Sequence, residues 1–278
     1  MTETEPFLVR KILVAVDASP SSLTALRIAV ELAARAHAEL LGLFVEDVAL
    51  LRLADAPLAS QLLFPSAARA PLSRRSMEAA LRAQSQLVRD TMARLAQPTQ
   101  VTWSFRSVRG RVTEEILTAA READLLALGT AGWSIGARTR LGSTARQAAA
   151  SSRAVLLLPV RALPSFSHVM VYFDDTPAAR RALSAAAGLA ELYNRNLTVL
   201  IAAANHKETE RRINEVASAL RDPAIRVTFR AVDPQYQTGL QHDEGAILVL
   251  GGSRAAATVE KLASLLHDAN ISLLLLDE

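Results

Sequence analysis

Ile12-Leu13-Val14-Ala15-Val16-Asp17-Ala18-Ser19-Pro20 is echoed 157 residues later by Val169-Met170-Val171-Tyr172-Phe173-Asp174-Asp175-Thr176-Pro177. Each copy is an apolar run that ends on Asp, passes through turn residues and reaches Pro. A strand buried on both faces requires such a run, and Pro is favoured in the first turn of a helix. Each copy therefore reads as strand, tight turn, helix. The same offset aligns Leu32-Ala33 with Leu189-Ala190 and residues 40–45 with 197–202. One offset held over about 30 positions marks a duplicated chain. The two halves meet around residues 159–167, a stretch with two prolines.

The rest of the first half alternates strand and helix. Strands are expected at 12–16, 40–45, 101–108, 124–128 and 154–158, and helices at 20–35, 76–95, 113–121 and 143–151. Residues 48–71 form a connection too long for a plain loop. Its Leu-rich part, 50–64, reads as a helix folded over the sheet or onto the other half, or else as a lid or docking surface. The second half repeats the scheme with strands at 169–173, 197–202, 225–231, 247–250 and 271–276 and helices at 177–193, 208–220 and 258–268; 235–243 is a poor helix candidate. Such alternation implies an α/β chain, with parallel sheets covered by helices on both faces.

Length and composition agree. A chain of 278 residues with 50% hydrophobic and 21% charged residues can bury two cores, and the expected domains are 8–160 and 167–278. The chain contains no Cys, which excludes disulfides, thiolate ligands and a Cys nucleophile. The acidic, polar start lacks the pattern of an export signal, and no apolar run is long enough to span a membrane. A cytoplasmic location is expected. The net charge is only +3 and aromatics are 4%, a poor composition for nucleic-acid recognition. No Lys follows a Gly, so a P-loop is absent.

In open parallel sheets, ligands sit beyond the carboxyl ends of the strands. There the first half offers Asp17, Val45 and Leu128-Gly129-Thr130-Ala131-Gly132; nine residues later Gly142-Ser143-Thr144 opens a helix. Glycines allow backbone to approach a ligand and permit positive φ. A helix start presents free N–H groups to an anion, and Arg138 and Arg140 stand within the loop. The pattern reads as a phosphate cradle without Lys. Asp17 could accept from a ribose or amino group, or could be a turn or capping residue before Pro20.

G-x-x-G, nine residues, then G-S after a fourth strand, with Val14-Ala15-Val16-Asp17 at the first, resembles the universal stress protein family. The resemblance covers residues 11–160 and, more weakly, 168–277. It implies two doubly wound five-stranded sheets of order 3-2-1-4-5 in α/β/α sandwiches, with fifth strands able to pair across an interface. It implies ATP as ligand, with Mg or Mn. Ala15 and Asp17 at the first strand end, Val45 and Leu128 would border the nucleoside. Gly129, Thr130, Gly132, Gly142, Ser143 and Thr144 would hold ribose and phosphates. It further implies a regulatory stress-response role read by a protein partner, with pairing of the two domains and a homodimer. No general base or nucleophile stands beside the cradle, so an enzyme is not expected; slow hydrolysis or autophosphorylation on Ser143 or Thr144 is left open.

The second half departs from the pattern. Arg254 stands for the second Gly, and Val259-Glu260 stands where Gly142-Ser143 would be, in a loop about five residues shorter. A Glu there repels phosphate. One competent site, in the first half, is expected. Two alternatives carry different expectations. One is a structural or interaction module of the same fold without nucleotide. The other is a serine hydrolase, since Gly132-Trp133-Ser134-Ile135-Gly136 fits the nucleophile elbow, with Asp243 and His267 following in order. His37, His168, His206, His242 and His267 show no metal-ligand spacing.

Overall fold

A computed structural model describes residues 9–56, 60–63, 68–130, 142–163, 165–203, 205–220, 225–232, 243–252 and 269–277. Gly132, Ser134, Arg138, Arg140, His242, Arg254, Val259, Glu260 and His267 lie outside the described residues, as do the expected helix 258–268 and nearly all of 235–243.

The first half runs β1 (Lys11–Ala15), α1 (Pro20–Ala36), β2 (Glu39–Asp47), α2 (Val48–Ala54), β3 (Ser60–Leu63), β4 (Ala68–Pro71), α3 (Arg74–Ala96), β5 (Trp103–Gly110), α4 (Val112–Ala120), β6 (Leu125–Gly129), α5 (Ser143–Ser151) and β7 (Ala154–Leu158). The second runs β8 (Val169–Phe173), α6 (Pro177–Tyr193), β9 (Leu197–Ala202), α7 (His206–Ala219), β10 (Val227–Val232), β11 (Ile247–Gly251) and β12 (Ser272–Leu276).

The main sheet has ten strands in the order β10-β9-β8-β11-β12-β7-β6-β1-β2-β5. Each half contributes five parallel strands in the order 3-2-1-4-5. The two fifth strands then pair antiparallel, Leu273 with Leu157 and Leu274 with Leu156. Both β7 and β12 are buried along their whole length. That burial explains their unbroken aliphatic sequences, because pairing removes two sheet edges that would otherwise be open. The sheet separates two apolar layers. One holds Val14, Leu26, Leu32, Leu156, Leu189 and Leu274 beneath α1 and α6. The other holds Ala15, Leu43, Leu128, Leu157, Leu248 and Leu275, capped in the first half by Ile116 and Ala119 of α4 and Ala145 and Ala148 of α5.

The duplication extends to backbone detail. Ile12 pairs with Leu40, and Val169 with Leu197, at the same offset. Ser19 caps α1 and Thr176 caps α6; the helices close on His37 and Asn194, both left-handed. The turn positions Ala18 and Asp175 both have positive φ, 60° and 71°.

The single helix expected over 50–64 is not found: the described residues of 48–71 fold as the short helix α2 and the antiparallel hairpin β3–β4. Pro57, Pro65 and Pro71 explain this, since each lacks an N–H for a continuing helix. α2 packs on α3 rather than on the second half, with Leu51 buried and Leu53 57% exposed. The connection between halves is anchored: Thr24 Oγ1 donates to the Val160 carbonyl, Arg195 Nε to the Phe166 carbonyl, and Phe166 is buried.

Candidate functional site

The carboxyl ends of β1, β2 and β6 lie side by side. Ala15 pairs with Leu43, Val45 pairs with Val108, and Leu128 follows the Val14–Ala127 pairing directly. Residues two apart on a strand share a face, so Ala15, Leu43, Val45 and Leu128 make one apolar floor. All four belong to the layer on the α4–α5 side, with Val45 and Val108 only partly covered. Asp17 continues the line from Ala15 and is half-buried. On the opposite face of the same strand ends Arg109 bridges Glu46 (2.8 Å) and Glu78 (3.3 Å), and its hydrogen bond to Glu46 holds the guanidinium pKa above its usual value.

Asp17 is a turn residue. Its Oδ1 accepts from the Ser19 N–H at 2.9 Å, and its own N–H donates to Ser22 Oγ. Ser19, not Asp17, caps α1. Asp174 repeats the turn, accepting from the Thr176 N–H and hydroxyl. The carboxylate at this position therefore has a structural task in both halves.

Gly129 also has a structural task. A Cβ there would lie 2.4 Å from Ser21 Oγ and 2.7 Å from the Ser21 carbonyl carbon. Gly251 meets the equivalent residue of α6, with Ala178 O at 2.2 Å. Positive φ is not what the position needs: among the described glycines only Gly245 and Gly252 adopt it. Close approach of helix to strand end is the reason for glycine here.

Thr130 and Gly142 behave differently. The Thr130 N–H donates to the Leu158 carbonyl, and the Gly142 N–H reaches the Thr130 carbonyl at 3.4 Å, which ties the end of β6 to the start of α5. Thr130 Oγ1 is buried with no partner. Such a hydroxyl costs about 1–3 kcal/mol unless something satisfies it. Gly142 has an ordinary φ of −57°, and a Cβ on it would meet nothing within 4 Å. The chain itself gives no steric reason for glycine there. As the N-cap of α5, Gly142 supplies no side-chain hydrogen bond, and the first turn carries no acid. Helix geometry leaves the first N–H groups of α5 without intrahelical acceptors. Ser143 beside them is exposed. Thr144 is turned away: its hydroxyl hydrogen-bonds Thr113 on α4 at 2.9 Å. Of the expected set, then, Ala15, Val45 and Leu128 form the floor, Asp17 its rim, and Thr130, Gly142 and Ser143 stand where β6 ends and α5 begins. Gly129 packs on α1, Thr144 on α4, and Gly132 lies outside the described residues.

A family model for "Universal stress protein family" matches residues 9–159. The chain belongs to the universal stress protein family. Solved relatives match over nearly the whole chain. A universal stress protein from Archaeoglobus fulgidus shares 15% identity, with 96% of this chain and 98% of that one covered and a TM-score of 0.69. A Pseudomonas aeruginosa protein described as a putative universal stress protein shares 16%, covering 98% and 94%, at 0.60. The cytoplasmic domain of a prokaryotic cation chloride cotransporter shares 14%, covering 97% and 96%, at 0.55. At these identities the likeness establishes the fold. A comparison with curated proteins returns no match.

Within this universal stress protein, the second half places different residues at the floor and edge. Tyr172 stands where Ala15 stands, Ala202 where Val45 does, and Gly252 where Thr130 does. The last pairing is visible in hydrogen bonds: Gly252 N–H donates to the Leu276 carbonyl as Thr130 N–H does to Leu158. Tyr172 is 8% exposed and belongs to the layer with Leu200, Ala202 and Leu250. Tyr172 thus sets a large buried side chain where Ala15 has a methyl, and Gly252 carries no hydroxyl. The offset of 157 placed Tyr172 beside Ala15 in the sequence; its bulk was the signal, and it was missed. Leu126 pairs with Val155 but Leu248 with Leu273, so the final crossover is four residues shorter, not five.

The hydrolase alternative loses its acid. Both Asp243 oxygens are engaged, by His168 Nε2 at 3.1 Å and Arg230 Nη1 at 2.8 Å, before the amino end of β11, which the antiparallel β7–β12 pairing places at the same end of the sheet as Gly129 but three strands away. Among the described residues no group of three His, Asp or Glu side chains converges as a metal site. None of the described helices is long and apolar enough to cross a membrane.

Proposed function

We propose that the first half binds an adenine nucleotide, ATP in the first instance, and that the protein is a nucleotide-dependent regulator rather than an enzyme. The observation that carries this is the buried Thr130 hydroxyl without a partner, on the residue whose carbonyl accepts from Gly142 at the uncapped start of α5. An anionic, oxygen-rich ligand satisfies both deficits at once. The floor of Ala15, Val45 and Leu128 supplies an apolar surface for a base, and Asp17 a carboxylate at its rim. A Mg or Mn ion would enter on the phosphate oxygens, where its charge offsets theirs. Gly132 and Ser143 complete the phosphate side of the proposal.

Among the described residues at this site none is placed as a general base, and on this reading binding itself is the output: occupancy shifts the population of a state that a protein partner reads. Competence is confined to the first half, because in the second Tyr172 stands at the position of Ala15 and Gly252 at that of Thr130. We assign residues 8–160 as the binding domain, residues 167–278 as a degenerate copy paired with it, and the cytoplasm as the place of action.

The test is Thr130→Val, assayed by titration calorimetry with MgATP and by thermal unfolding. Removing an unsatisfied buried hydroxyl leaves the free protein as stable or more stable, while ATP affinity falls about tenfold, the worth of one hydrogen bond. Unchanged ATP affinity, or no ATP binding by the wild-type protein at millimolar concentration, would falsify the proposal.

A further inference from the structure

On the opposite face of the sheet from the nucleotide site lies a cavity of about 230 Å³ between α1 and α6. Its walls come in pairs related by the duplication: Leu32 with Leu189, Leu125 with Ile247, and Leu156 with Leu274. All six are at most 5% exposed. The cavity thus sits where the two halves join, a common location for ligand pockets.

Two features separate it from a packing flaw. Gly188 lines it from the middle of α6, and a Cβ on Gly188 would meet nothing within 4 Å. Gly188 is exposed, so it stands at the mouth, where the lack of a side chain leaves the entrance clear. Arg35 is the one charged lining residue, with its side chain 40% exposed at the mouth. Its Nε and Nη2 meet Glu31 Oε1 at 3.1 Å, Nη1 donates to the Leu192 carbonyl at 3.3 Å, and the guanidinium stacks on Tyr193 at 4.7 Å. A guanidinium has five N–H groups, so two remain for an acceptor. Glu31 balances its charge.

We propose that this cavity is a binding site for a neutral, largely apolar molecule of about eight to ten heavy atoms bearing one hydrogen-bond acceptor. The size follows from roughly 30 Å³ per water-sized group. Aliphatic walls take the apolar body, and Arg35 takes the acceptor. The electrical balance at the mouth disfavours an anion, whose charge would meet Glu31. The site shares no residue with the nucleotide floor and does not depend on it.

The probe is acetophenone, with benzoate as the anionic control, titrated into the full chain carrying ¹³C-labelled leucine methyl groups. Acetophenone should shift Leu32, Leu156, Leu189 and Leu274 together, with a Kd on the order of 1 mM or below, and benzoate should bind at least about tenfold more weakly. Gly188→Leu puts a large side chain at the mouth and should remove the shifts or weaken binding at least about tenfold. Gly188→Ala, which adds one methyl in open space, should weaken binding measurably and serves if the leucine variant does not fold. Absence of shifts in the wild-type chain, benzoate binding as tightly as acetophenone, or undiminished binding in both variants would overturn the proposal.

Discussion

Exchanging the floor of the first half for that of the second, by the double substitution Ala15→Tyr and Val45→Ala, tests the nucleotide reading at its most specific point. The second half shows that the exchange is sterically sound. Tyr172 occupies the position equivalent to Ala15, is 8% exposed, and has Ala202 at the position equivalent to Val45. Ala15→Tyr alone would crowd Val45 and cost about 1–3 kcal/mol by overpacking; shortening Val45 makes room, as Ala202 does. A tyrosine seated in this way buries about 150 Å² or more. At about 25 cal/mol per Å², a base displacing it forfeits close to 4 kcal/mol. ATP affinity should therefore fall by at least about 100-fold. Thermal unfolding should stay near that of the parent, and calorimetry with MgATP should report the loss. A double variant that folds and binds ATP as tightly as the parent would refute the assignment of Ala15 and Val45 to the base. The converse change does not create a second site: Tyr172→Ala should cost about 3–5 kcal/mol, with no ATP binding gained in the second half, because Gly252 lacks the hydroxyl that Thr130 supplies.

Further predictions concern the glycines and the turn acid. Gly129→Ala places a methyl 2.4 Å from Ser21 Oγ and should lower stability by about 1–3 kcal/mol in urea unfolding; Gly251→Ala, against the Ala178 carbonyl at 2.2 Å, should do the same. Gly142→Ala meets nothing, so unfolding should move by less than about 0.5 kcal/mol while ATP affinity drops. Burial pushes the Asp175 carboxyl up, but the hydrogen bond from Arg211 (3.0 Å) and the charge of Arg180 outweigh it and hold the pKa below the usual value. A depressed folded-state pKa contributes stability above the ordinary Asp pKa of about 4 and loses it as pH falls through the folded value. Asp175→Asn, which tolerates the left-handed turn, should therefore lower Tm at neutral pH and flatten its dependence on pH below about 4; an unchanged acid limb would contradict this.

Much of the fold was legible because its causes are local. Buried parallel strands need unbroken aliphatic runs, and 154–158, 169–173 and 197–202 coincide with β7, β8 and β9 residue for residue. Pro20 and Pro177 mark helix starts for the reason that proline lacks an N–H. The insert was misread because leucine spacing in 50–64 suits a helix, whereas Pro57 breaks the run and Pro65 follows it directly. At the site, sequence spacing gathered the right strand ends but could not apportion tasks. Gly129 and Gly142 look alike as letters; only the neighbouring atoms show that α1 demands the first and that nothing in the chain demands the second. Thr144 and Thr130 both read as hydroxyls near an anion, yet Thr113 takes one and the other is left unsatisfied.

The duplication supplies an internal control that separates scaffold from function. Features kept in both halves are those that the fold requires: the Asp–Ser/Thr turn, the positive φ at Ala18 and Asp175, the glycine against the first turn of the helix, and the strand register. Features that differ are Ala15 against Tyr172, Val45 against Ala202 and Thr130 against Gly252, and they cluster at one edge of one sheet face. If that edge served only packing, the two halves would be free to use either set, and both would leave their polar groups satisfied. They do not. The second half places a tyrosine in its floor and dispenses with the hydroxyl, while the first keeps a small floor residue, a buried hydroxyl without a partner and a helix start without a side-chain cap. The last two deficits are costly in the free protein, and the proposed nucleotide would relieve both.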